Sequence, residues 1–214
     1  MSAKSLMARG YIRQLVLNGV LTPGSRIDAA EIAQKLKISA VPVREALIRL
    51  SERQFIQGGS RQTYRIGEPS QAEQLAVLSW AQVFFEKAIA GFLQREDRAF
   101  LISTIQVAAA EKDGLHATVF CFRIADAIGS VGLSEIEYLL FSITLDYLLL
   151  TPPIDCEPDQ AALKLALTAI IDLIVDNGSR AEIERQIRSM SAAMERIIVA
   201  AHTQTAADLL FKDI

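Results

Sequence analysis

Histidine and cysteine each occur only twice in the 214 residues, and tryptophan once. Cys121 and Cys156 have no Cys-x-x-Cys spacing, which excludes a disulfide framework and a zinc knuckle and argues against an oxidising compartment. Two histidines, His116 and His202, exclude any three-histidine metal site. Long uninterrupted apolar runs are also missing. "YLLFSITLDYLLL" and "LALTAIIDLIV" are broken by Asp146 and Asp172, short of the roughly 18 uncharged residues of a membrane span. The start, "MSAKSLMARGYIRQ", has no apolar signal core. No Gly-x-x-x-x-Gly-Lys, Gly-x-Gly-x-x-Gly, His-Glu-x-x-His or nucleophile elbow occurs, so no catalytic constellation is present. A cytoplasmic, non-enzymatic protein without a membrane segment is the expectation.

Charge and apolar mass are what the chain does have. Half of its residues are apolar (51%), enough for a packed core, and with aromatics at 7% the alanine, leucine and isoleucine that dominate favour helices. Residues 1–66 carry eleven Lys/Arg against four acids, net +7, whereas residues 67–214 carry eleven against twenty-one, net −10. A basic head on an acidic body points to a polyanionic partner for the head.

Periodicity organises the head into three helices. Ala8, Tyr11, Ile12, Leu15 and Val16 draw one apolar stripe, ended by Gly19. "LTPGSR" reads as a turn, with Pro23 presetting φ and Gly24 taking the positive φ. Asp28, with Glu31 three residues on, opens a second helix striped by Ala29, Ile32, Ala33 and Leu36. Ser39 caps a third, with Pro42 in its first turn; Val43, Ala46, Leu47 and Leu50 face inward, Val41, Arg44, Glu45 and Ile48 outward. "QFIQ" and "TYRIG" around "GGSRQ" predict a β-hairpin. Three helices and a hairpin make a winged helix-turn-helix.

The expected organisation is a DNA-binding head at 1–66, a linker at 67–71 containing "GEPS", and an all-helical body at 72–214. Three Ser-x-x-Glu boxes, Ser70/Glu73, Ser134/Glu137 and Ser179/Glu182, open apolar periodic runs. Helices are predicted near 71–94, 97–111, 115–129, 134–150, 159–177 and 179–211. The fold class is mainly α: a winged helix-turn-helix followed by an antiparallel bundle of about six helices.

"LTPGSRIDAAEIAQKLKISAVPVREALIRLSERQFI" resembles the head of GntR-type bacterial transcription regulators, with matches through Pro23–Gly24, Ile32–Ala33, Leu36, Ser39 and the "PVREAL" run. More weakly, "FFEKA" and "FCFRIADAIGS" resemble the FadR-type subfamily, whose body senses ligands and dimerises. The resemblance implies DNA-binding roles for Ser39, Val41, Pro42 and Arg44 on the third helix, with Arg44 suited to guanine. It implies phosphate contacts from Arg49 and Arg53, and a wing tip at Ser60 and Arg61. It further implies a homodimer on a near-palindromic operator, repressor-like regulation, and a small organic effector bound near Gln82, Phe85 and Cys121.

The chain departs from that family at four kinds of position. Ala40 and Ala30 stand where DNA-contacting arginines are usual. Ala117 and Cys121 replace the Asp and one His of the body's metal set. The later histidine positions hold none, and Gln82 replaces an arginine suited to carboxylate effectors. No metal and no cofactor is therefore expected, and any effector should be less acidic or more apolar. Ala30 and Ala40 keep an alternative open: a winged-helix protein-interaction module on a helical dimer, with degraded DNA reading.

Overall fold

A computed structural model of the chain describes residues 2–58, 63–96, 102–103, 117–152, 154, 156–176 and 178–211. The chain folds into two compact units, Met1–Ser70 with Leu149–Pro153, and Gln71–Leu148 with Ile154–Ile214.

The first unit has three helices, α1 (Ala3–Leu17), α2 (Ala29–Leu36) and α3 (Ala40–Glu52), and three short strands, β1 (Arg26–Ile27), β2 (Ile56–Gly58) and β3 (Tyr64–Ile66). Gly19 and Gly24 take φ of +68° and +77°, the left-handed geometry that both turns need. Asp28 caps α2 by accepting from the Ala30 and Glu31 amides at 2.8 and 3.2 Å. Ser39 departs from expectation: it occupies the N-cap of α3 in extended backbone, but its hydroxyl makes no capping hydrogen bond. The sheet also exceeds the expected hairpin. Its order is β1-β3-β2, all antiparallel, with Arg26 opposite Arg65 and Ile56 opposite Ile66. Two residues are too few to show an alternating pattern, so β1 gave no periodic signal. Ala8, Ile12, Val43, Ala46, Leu47, Leu50, Phe55 and Ile66 have no exposed surface, and Leu150, from the segment after the body's third helix, completes this core.

The second unit contains α4 (Gln71–Leu93), α5 (Ala117–Gly132), α6 (Glu135–Leu148), α7 (Glu157–Val175) and α8 (Arg180–Phe211). The helix expected at 97–111 lies almost wholly outside the described residues. Against the expected 115–129, α5 runs on to Gly132, where it meets α4 closely: a Cβ on Gly132 would lie 1.9 Å from the Ala88 carbonyl oxygen. The two later Ser-x-x-Glu boxes each form half of the reciprocal pair. Ser134 donates its amide and hydroxyl to Glu137, while the Ser179 hydroxyl accepts from the Glu182 amide at 3.2 Å. The core joins all five helices, through residues such as Phe85, Ile124, Phe141, Leu167 and Ile198. Among the described residues, α4 alone is long and apolar enough to cross a membrane by length and composition; its Ala81, Phe85, Ala88, Ile89 and Phe92 are instead packed in this core.

Candidate nucleic-acid interface and body cavity

Helix α3 sorts its residues sharply. Val43, Ala46, Leu47 and Leu50 are wholly buried, while Val41, Arg44, Glu45 and Ile48 are exposed along the opposite face. The period of 3.6 residues makes this division, because positions 41, 44, 45 and 48 fall on one stripe. Arg44 makes no hydrogen bond or ion pair with the described residues, so its five donors are available to a partner. Arg49 is engaged: its guanidinium donates to Glu52 at 2.9 Å.

The other head candidates divide by exposure. Ser39 is exposed beside Val41, and Arg53 is half-buried as the C-cap of α3. Pro42 is buried with the core, so it shapes the first turn of α3 and cannot itself present a reading surface. Ser60 and Arg61 lie outside the described residues. Two basic residues missed in the sequence stand on the sheet. Arg26 and Arg65 are cross-strand partners, both exposed, and Arg65 also donates to the Gly24 carbonyl at 3.0 Å. Like charges placed directly opposite repel unless an anion lies between or near them. Recognising β1 as a strand was the missing step.

In the second unit, Gln82, Phe85 and Cys121 line one cavity of about 50 Å³, together with Phe141, Leu145 and Met194. Phe85 lies 6.4 Å from Phe141, ring to ring, in a stacked pair. Gln82 donates to Glu86 at 3.0 Å. The Cys121 thiol is buried, with its sulfur 3.9 Å from the Leu163 carbonyl oxygen, and burial pushes its pKa far up, so it stays a neutral thiol. Glu86 also lines a second cavity, of about 220 Å³, between α4 and the start of α8, where Arg180 pairs with Glu184 at 2.8 Å. No pattern in the sequence anticipated that cavity.

The described residues include no group of three His, Cys, Asp or Glu placed to share a metal ion. His202 is occupied structurally, its ring nitrogen 2.8 Å from the buried Gln74 side-chain oxygen, and desolvation lowers its pKa. Asp126 accepts from the Tyr138 hydroxyl at 3.1 Å. His116 lies outside the described residues.

Comparison with known proteins places this geometry in context. Residues 4–66 match the family described as bacterial regulatory proteins, gntR family. No curated protein matches the chain in sequence. Among solved structures, E. coli McbR/YncC superposes with a TM-score of 0.64 at 16% identity, over 96% of this chain and 100% of that one. A Rhodococcus sp. RHA1 protein described as a GntR transcriptional regulator gives 0.67 at 15%, over 94% and 99%. At such identities the likeness establishes a shared fold.

Proposed function

We propose, on the premise that residues 4–66 are a domain of the gntR family of bacterial regulatory proteins, that the chain is a DNA-binding transcription regulator acting in the cytoplasm. The observation that carries the reading is the outward face of α3, where Arg44 stands exposed without a partner among the described residues. An arginine on a recognition helix can donate twice to guanine O6 and N7, a pair that discriminates by about 1–3 kcal/mol. Ser39 and Val41 flank it; Arg49, Arg53, Arg26 and Arg65 supply phosphate contacts.

The body is read as FadR-type, a dimerising and sensing domain. Helices α4 and α6 are joined by the Lys87–Glu137 ion pair and by Phe84 against Phe141 at 6.1 Å. Beside these contacts Trp80 (63% exposed), Val83, Ile136 (73%) and Leu140 form apolar stripes suited to a second copy. Two heads related by that symmetry suit a near-palindromic operator. A small, weakly polar effector would enter at Gln82, Phe85 and Cys121 without metal by widening the cavity of about 50 Å³ there; a ligand there alters DNA binding only by favouring one placement of the heads.

The exposed Val41 and Ile48 also suit a protein partner, which keeps the interaction-module reading as the rival. A gel-shift titration with the DNA upstream of the chain's own coding region separates the two. Selective binding that falls steeply with salt supports the regulator. Absence of selective binding at low salt, with and without metabolite extract, supports the rival. A stoichiometric divalent ion in the purified protein would contradict the metal-free effector site.

A further inference from the structure

The outward side of α3 is partly apolar. Val41 is 59% exposed and Ile48 is 48% exposed, on the same face as Arg44, one turn before it and one turn after it. The surrounding domain is strongly cationic, with eleven basic residues against four acidic ones, so a nucleic acid is the partner its charge selects. In the major groove the edges of guanine, cytosine and adenine present only donors and acceptors; the 5-methyl group of thymine is the one apolar feature. An aliphatic side chain pressed on a polar base edge would strip water from it without replacing the hydrogen bond. Pressed on a thymine methyl, it gains contact and loses nothing.

We infer that Val41 and Ile48 are specificity-determining residues that read thymine methyl groups on either side of the base pair contacted by Arg44. The inference rests on the DNA-binding reading above and deepens it by naming the sequence feature that the operator must carry. Val41 and Ile48 are seven residues apart, a rise of about 10.5 Å at 1.5 Å per residue. That equals roughly three base-pair steps of 3.4 Å. The half-site therefore has a guanine flanked by thymines at most about three pairs apart, the limit for a helix lying parallel to the duplex axis. Ala40, which sits beside Val41 where the resembled regulators carry an arginine, leaves the valine unobstructed. The reading of this helix is thereby shifted from hydrogen bonding towards methyl contact.

The test uses the full-length protein and duplexes enriched by it from a random pool. Each thymine of an enriched duplex is replaced in turn by uracil, which removes the methyl group and keeps the base-pairing edge. Affinity should fall about fourfold for each contacted methyl, the ~0.8 kcal/mol of one buried carbon converted at 1.4 kcal/mol per tenfold. In the Val41→Ala/Ile48→Ala double variant, whose changes are at exposed positions and leave the core intact, the thymine and uracil duplexes should bind equally. Enrichment with no effect of uracil anywhere overturns this inference and leaves the regulator reading standing. An undiminished uracil effect in the double variant overturns the assignment to these two side chains. Failure to enrich any duplex overturns the regulator reading, and this inference with it.

Discussion

The Arg49 guanidinium donates to the Glu52 carboxylate at 2.9 Å, one turn along the exposed side of α3. An arginine held this way has one nitrogen and part of its charge committed to the acid when a phosphate approaches. Such an exposed pair stabilises by only about 0–1 kcal/mol, so the exchange is easy and its signature small. Glu52→Gln should strengthen binding to any duplex by a few-fold, since it frees Arg49 and removes one like-charged neighbour of the DNA. Arg49→Ala should lower the slope of log affinity against log salt by about 1 without changing sequence preference. Fluorescence anisotropy across a salt series measures both, and a weaker Glu52→Gln complex would contradict the arrangement.

Leu150 is 1% exposed and packs in the core with Leu47, Leu50, Phe55 and Ile66. A cavity in place of a buried leucine costs roughly 2–5 kcal/mol. Leu150→Ala should therefore destabilise the first unit, although the residue lies far beyond the linker in sequence. Hydrogen exchange at the amides of α3 and β3 reads this directly; exchange as slow as in the parent would show that Leu150 does not belong to that core.

Lys87 and Ser134 hold the Glu137 carboxyl down at about 2, with the Lys87 hydrogen bond the larger cause. A depressed carboxylate contributes stability that is complete above its unfolded pKa, near 4.5, and is lost as pH falls through the folded value. The parent should thus lose stability between about pH 5 and pH 2 more steeply than Glu137→Gln, which lacks the titrating group. Urea unfolding midpoints at pH 6, 4 and 3 follow the difference; parallel midpoints for the two proteins would refute it.

How much of this could be seen in the sequence depended on the length of each pattern. The outward and inward faces of α3 were legible because thirteen residues give several full turns of period. The strand β1 was not legible, because two residues hold no period, and with it went the Arg26–Arg65 pair. Pro42 was assigned to the DNA by resemblance, whereas its burial is set by tertiary packing. Lys37 ends α2 in the left-handed conformation at φ 53°, a geometry that a lysine does not signal in the sequence. Gln82, Phe85 and Cys121 line one cavity because α4 and α5 pack side by side, a packing no single stretch of sequence records. The 220 Å³ cavity depends on how α8 begins against α4, and no local pattern encodes that.

Base reading by α3 through Arg44 comes down to one ratio. It is the affinity of the full-length protein for an enriched duplex divided by that for a shuffled duplex, in the parent and in Arg44→Ala. The ratio should collapse towards one in the variant while affinity for shuffled DNA, carried by the remaining basic residues, is nearly retained. An unchanged ratio would show that Arg44 is a solvated surface charge and that sequence is read elsewhere.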